Sequence, residues 1–246
     1  TPVTYNITVT PAAAGGATFS TGGTAYNLTG LTNGVAYTAV VTPTNDRGDG
    51  PGSSATVTPG RAPGVGAVAV NATGDRQFQV TFPVDNGGHP LTGCTVTSSS
   101  GASAGCDASS GTGSATIDVP TYNTGYTFTV NVTNDMGTGQ GSGSGTSALK
   151  PLIVETDAAR WDGATCTWQG HENTRPYYAN PAHTCTSEAG YIPLGTTVRA
   201  ECWTEGGEIN DDYFNYSSLW IRMDRGYMNV LYFTNFNAAE DNLPHC

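Results

Sequence analysis

Apolar and polar residues alternate from the first residues of the chain. In TPVTYNITVT, Tyr5, Ile7 and Val9 stand against Asn6, Thr8 and Thr10, the period-two pattern of a half-buried β-strand. The alternation returns in YTAVVTPTN from Tyr37, with Tyr37, Ala39 and Val41 on one side. It returns again in YTFTVNVTN from Tyr126, with Tyr126, Phe128, Val130 and Val132 on one side. Gly, Pro, Asn and Asp punctuate these runs, and long runs of helix formers are missing. The pattern predicts all-β modules joined by tight turns.

Two of these runs are copies of each other. YTAVVTPTNDRGDG from Tyr37 and YTFTVNVTNDMGTG from Tyr126 agree at eight of fourteen positions, at an offset of 89 residues. Each strand leads into Asn-Asp-x-Gly-x-Gly, a turn in which Gly permits positive φ. Self-similarity at this period marks tandem modules.

The repeat resembles the fibronectin type III domain, in the form common in bacterial surface proteins and secreted enzymes. Leu28, Leu31, Gly34 and Tyr37 carry the resemblance, followed by the Asn45-Asp46-x-Gly48 turn. The resemblance implies an immunoglobulin-like β-sandwich in which Tyr37 and Tyr126 form tyrosine corners, their hydroxyls bonded back to the chain. The second copy, residues 61–150, is complete, with QFQVTFPVDNGGHPLTG supplying its second strand and the loop into its third. Phe82 stands where many family members carry a core Trp, so a lighter core is expected. Shifting the first copy by 89, with a one-residue gap, puts TPVT on HPLT and Tyr5, Ile7 and Val9 on Cys94, Val96 and Ser98. The first module, residues 1–60, is therefore expected to start at its third strand, with roughly 27 residues of the repeat unrepresented. The expected account is an excerpt of a longer chain; the alternative is a neighbouring chain that donates the two strands.

Composition changes after Lys150-Pro151: all four Trp follow, at 161, 168, 203 and 220, and Tyr, Asp and Glu rise. IPLGTTVRAECW, SSLWIRM and RGYMNVLYF read as a Gly turn with a strand, a Trp-bearing strand and a Gly-aromatic strand. Through Gly195, Trp220, Gly226 and Tyr227 this cadence resembles a bacterial SH3-like domain, which implies a small β-barrel over residues 151–246. The whole order, tandem type III domains before an SH3-like domain, resembles exported surface proteins of actinobacterial type.

Cysteine and charge narrow the setting. The six cysteines show no C-x-x-C spacing, so disulfides in an oxidising compartment are expected rather than a zinc knuckle or redox pair. Cys94 and Cys106 flank TVTSSSGASAG, a hairpin pattern, and are expected to pair. Cys166, Cys185, Cys202 and Cys246 allow three connectivities, of which Cys166–Cys185 and Cys202–Cys246 are favoured. The formal net charge is -11, and Lys150 is the only lysine. Without clustered cations a nucleic-acid partner is excluded as an expectation. No apolar run reaches the ~20 residues of a membrane-spanning helix.

Candidate chemistry is sparse. No G-x-S-x-G, H-E-x-x-H or phosphate-loop pattern occurs, and no enzyme activity or cofactor is expected. Cys166, His171, His183 and Cys185 have zinc-ligand chemistry at an unfamiliar spacing; a disulfide with solvated histidines is preferred. The acids Glu205, Glu208, Asp211 and Asp212 lack the ordered spacing of a calcium loop. The ligand-binding candidates are aromatic: Tyr213, Phe214 and Tyr216 in the polar loop NDDYFNYSS beside Asp211 and Asp212, with Trp203, Trp220 and Tyr227 around them. Rings beside Asp and Asn suit peptide or sugar recognition; the rival role is capping a barrel. The expectation is a non-catalytic extracellular or cell-surface segment. Its type III spacer carries an SH3-like module for a cell-envelope component or another surface protein. Two rival expectations are an accessory region of a secreted polysaccharide hydrolase and a purely structural or adhesive protein.

Overall fold

The computed structural model describes residues 2–154, 174–181, 188–210, 216–236 and 242–246. Its strands group into an N-terminal sheet, a central two-sheet sandwich and a C-terminal sheet.

The N-terminal sheet holds β1 (Thr4–Ala13), β2 (Gly16–Thr21), β3 (Tyr37–Asn45), β4 (Gly48–Asp49) and β5 (Ser53–Val57). Its order is β2-β1-β3, with β4 and β5 in succession along the far edge of β3. The central unit holds β6 (Gly64–Val65), β7 (Ala69–Ala72), β8 (Gln77–Asp85), β9 (Gly93–Ser98), β10 (Ser103–Gly105), β11 (Thr112–Asp118), β12 (Gly125–Asn134) and β13 (Gly137–Thr146). One of its sheets runs β10-β9-β12-β13; the other runs β11-β8, with β6 and β7 both on the second edge of β8. This is a two-sheet antiparallel β-sandwich of the kind that the resemblance implies.

Positions 89 residues apart pair in the same way. Ile7 pairs with Val41, and their counterparts Val96 and Val130 pair with each other. Thr32 N–H donates to the Tyr37 hydroxyl at 3.0 Å, and Thr121 N–H to the Tyr126 hydroxyl at 3.1 Å. The copies part at Gly50-Pro51-Gly52. Proline cannot donate to a ladder, and β5 resumes one residue out of step, Tyr37 opposite Val57 where Tyr126 faces Gly145.

Alternation makes the central core. Phe78, Val80 and Phe82 point inward from β8 against Val96, Phe128, Val130 and Val132, all at most 2% exposed. The expected lightness at Phe82 is met locally: Gly113 lies directly across the ladder, and a Cβ there would come within 2.2 Å of the Phe82 ring. The ring therefore occupies the space of the missing side chain. Cys94 and Cys106 are bridged across the β9–β10 hairpin.

The C-terminal sheet runs in the order β14 (Lys150–Ile153), β17 (Thr197–Asn210), β18 (Tyr216–Met223), β19 (Gly226–Asn229), β15 (Thr174–Tyr178) and β16 (Glu188–Pro193). After β19 a 3-10 turn, Val230–Tyr232, carries the chain back toward β14. The all-β expectation holds here, but among the described residues the expected barrel is open. The return to β14 is a single bridge, Val154 with Phe233, supported by Thr234 N–H to Ile153 O at 3.1 Å. Asn235 takes the next β14 groups with its side chain, accepting from Ile153 N–H at 2.8 Å and donating to Pro151 O at 3.3 Å. A side chain thus stands where a closing strand would continue.

Candidate functional site

Trp220 leaves β18 into the core of the C-terminal sheet and is wholly buried. Its indole N–H donates to Gly207 O at 2.8 Å, which removes the cost of hiding that donor. Tyr178 meets it edge-on at 5.2 Å. The place of Trp220 is structural. Tyr227 sits on β19 between Tyr178 of β15 and Arg222 of β18, partly buried against the same core.

Trp203, on β17, is the candidate nearest a defined surface feature. The tail runs parallel to it: Trp203 N–H donates to Pro244 O at 3.0 Å and Cys246 N–H to Trp203 O at 2.8 Å. The His245 ring meets the indole edge-on at 4.5 Å. Cys202 and Cys246 are bridged, as favoured from sequence, and tie this tail beside β17.

Tyr213, Phe214, Asp211 and Asp212 lie outside the described residues, as do Cys166, Cys185, His171 and His183. Tyr216 is described only as the backbone partner of Asn210. Among the described residues no group of three or more His, Cys, Asp or Glu is placed to hold a metal, and no helix is long and apolar enough to cross a membrane.

Two other places lie outside the ligand-binding candidates. The first is the junction of the N-terminal sheet with the sandwich, built around His89. Its Nδ1 lies 3.0 Å from an Asp135 carboxylate oxygen and its Nε2 lies 3.2 Å from Thr58 O. Both partners are acceptors, so only the doubly protonated ring satisfies both. The bond to Asp135 does most to hold the imidazole above the ordinary histidine range; the Thr58 carbonyl and the Asp135 charge add to it, and burial opposes. Glycines make the approach possible. A Cβ on Gly60 would lie 2.2 Å from the His89 ring, and one on Gly88 (φ 91°) 2.3 Å from Gly34 N.

The second place is a groove of about 370 Å³ on the N-terminal sheet, lined by uncharged residues that include Tyr5, Ile7, Tyr26, Leu28, Ala39 and Val41. It lies on the face that in the sandwich is covered by β8 and β11. Only Ile7, Val9 and Tyr37 form a buried cluster here, and Val57, opposite Tyr37, is 58% exposed. The offset maps residues 23–29 onto β11, which pairs along its whole length with β8. Residues 24–29 form no strand and no backbone–backbone hydrogen bond among the described residues. The signal was present in the repeat, where a strand equivalent to β11 has no equivalent of β8 to pair with.

No family model and no curated protein matches the chain. Among solved structures it is similar to the FN1–FN3 domains of chicken CNTN1, at 15% identity and a TM-score of 0.28, over 60% of this chain and 57% of that one. It is also similar to the chicken interferon gamma receptor alpha chain, at 9% identity and a TM-score of 0.29, over 61% of this chain and 87% of that one. The chain thus spans little more than half of the CNTN1 fragment.

Proposed function

We propose that the chain is a non-catalytic extracellular segment of a larger cell-surface protein. Residues 1–60 and 61–150 are type III spacers, and residues 151–246 are an SH3-like module that binds a cell-envelope or protein ligand. Disulfides Cys94–Cys106 and Cys202–Cys246 agree with an oxidising location. The β17–β18–β19 meander, the 3-10 turn and the Val154–Phe233 bridge agree with the SH3-like reading.

The observation that carries the spacer reading is the seam between sandwich and C-terminal sheet. Tyr122 packs on the C-terminal core, and its N–H donates to Asn242 O at 3.1 Å. Asn123 Nδ2 donates to Glu201 O at 3.1 Å, and Arg199 stands 3.6 Å from Asp75. Arg76 and Lys150 both lie over the Tyr122 ring, at 5.1 and 5.6 Å. A seam with this many specific contacts holds a terminal module at a set angle, which a flexible linker cannot do.

Retention of the 246-residue chain on purified cell-wall sacculi tests the envelope ligand. Retention is expected, falling about tenfold or more for Tyr213→Ala or Tyr216→Ala if these rings anchor the ligand. Absence of retention, with the fold intact by circular dichroism, sinks the envelope version.

A further inference from the structure

The connector between the N-terminal sheet and the sandwich is anchored alternately to one unit and the other. Pro59 O accepts from Gly34 N–H at 2.8 Å, which ties it to the N-terminal unit. Arg61 is tied to the sandwich: its N–H donates to Gly87 O at 3.0 Å, and its carbonyl accepts from Asn134 Nδ2 at 2.9 Å. Thr58 O reaches across the boundary to His89 Nε2, 3.2 Å away. Among the described residues no other side chain of 61–149 hydrogen-bonds to residues 1–60. The units also touch backbone to backbone, where a Cβ on Gly88 would lie 2.3 Å from Gly34 N. Only Gly60 separates the anchor at Pro59 from the anchor at Arg61.

The crossing bond depends on how many protons the imidazole carries. Nδ1 lies 2.8 and 3.0 Å from the two oxygens of Asp135, so both ring nitrogens face acceptors. The imidazolium donates to both, whereas the neutral ring has one N–H and serves one. That proton stays at Nδ1, because a carboxylate is a stronger acceptor than a carbonyl. Nε2 then turns a lone pair toward Thr58 O, and the attraction becomes a repulsion. Water gives little relief, since the imidazole is only 15% exposed. Of the charged groups, Asp135 alone acts on the ring. The Arg61 guanidinium on the connector is paired with Asp85 at the end of β8. The N-terminal side presents Asn33, Gly34, Thr58, Pro59 and Gly60, none of them charged.

We propose that His89 is a pH-operated latch on this joint. Doubly protonated, it fixes Thr58 to the sandwich, and the N-terminal sheet and the sandwich move as one body. Neutral, it releases Thr58, and the N-terminal sheet swings about Gly60, whose missing Cβ leaves the backbone free to turn. Gly60 also admits the ring, since a Cβ there would lie 2.2 Å from His89 Cδ2. The Asp135 bond, the Thr58 carbonyl and the Asp135 charge place the change above the ordinary histidine value of about 6.5. The latch acts between residues 1–60 and 61–150 and is independent of any ligand of residues 151–246.

Residual dipolar couplings on the 246-residue chain test the latch at about pH 5 and about pH 9, on either side of the imidazole titration. At the lower pH, residues 4–57 and 64–146 are expected to fit one alignment tensor. At the higher pH each unit should still fit well alone, but the common tensor should be lost. Its loss should follow the His89 ring titration read from the imidazole proton shifts. Asp135→Asn removes the charge that favours the imidazolium and should move both curves down by about one pH unit or more. His89→Gln should give the same couplings at both pH values. The proposal is overturned if the wild-type chain keeps one tensor at the higher pH, or already needs two at the lower. It is overturned too if His89→Gln responds to pH as the wild-type chain does. A poor fit within residues 4–57 alone at the higher pH would also overturn it, because that unit would then be unfolding rather than swinging.

Discussion

Tyr37 and Tyr126 make the same bond in unequal surroundings. Each hydroxyl accepts from the N–H five residues earlier, and the rings are equally buried, at 4% and 5% exposed, although the cluster around Tyr37 is the smaller. Tyr126→Phe leaves Thr121 N–H without its acceptor in a shielded site and should cost about 1–3 kcal/mol. Tyr37→Phe should cost a similar amount, because the two rings are equally buried. Thermal unfolding of the two variants compares them, and a loss confined to Tyr126→Phe would contradict their equal burial. The tyrosine corners were implied by the type III resemblance, the Cys94–Cys106 bridge by the hairpin between its cysteines, and Cys202–Cys246 belonged to the favoured of three connectivities. The role of Trp220 was not legible in the sequence. A Trp in a polar stretch looks alike whether it faces a ligand or a core, and its deciding partner, Gly207 O, lies thirteen residues away. The fit of Phe82 over Gly113 was hidden for the same reason: cross-strand neighbours are set by register, which one strand does not display.

Strands were read well where alternation was clean, as in β1, β3, β8 and β12, and poorly where pairing alone decides. Residues 23–29 match β11 in the repeat yet stay outside any sheet, since a strand exists only with a partner. The open C-terminal sheet is a second case. Turn and aromatic cadence point to a barrel, but closure depends on how far the chain after the 3-10 turn follows β14, and Asn235 ends that run after one bridge. The junction held by His89 belongs here too, because it couples the end of β5 to the turn after β12. Its sign follows from the raised pKa. A group whose folded-state value lies above the ordinary histidine value of about 6.5 stabilises the fold fully below that value. The contribution is lost as pH rises through the folded-state value. Exchange at residues 58–61 should therefore quicken on the wild-type chain as pH rises from about 6.5 through the raised folded-state value. His89→Gln, which cannot carry the charge, should exchange at one rate across that range once intrinsic exchange is subtracted. A wild-type profile as flat as that of His89→Gln would show that the junction does not depend on the imidazolium.

The three units have cores of very different depth, and that difference orders their stability. The central sandwich and the C-terminal sheet each hold eleven or more buried residues in one cluster, against three in the N-terminal sheet. Their mutual seam adds packing of Tyr122, two hydrogen bonds to Asn242 and Glu201, and the Arg199–Asp75 pair. The exposed pair alone would contribute little, so the packed tyrosine must carry most of the coupling. Native-state exchange should then resolve two cooperative units rather than three. Residues 4–57 should open first at low denaturant, and residues 64–153 should open together with 188–233 at higher denaturant. Tyr122→Ala should split the second transition into two, because it removes the ring that the sandwich packs on the C-terminal core, while leaving the opening of residues 4–57 where it was. A single transition in Tyr122→Ala would mean that the sandwich and the C-terminal sheet are coupled by something other than this seam.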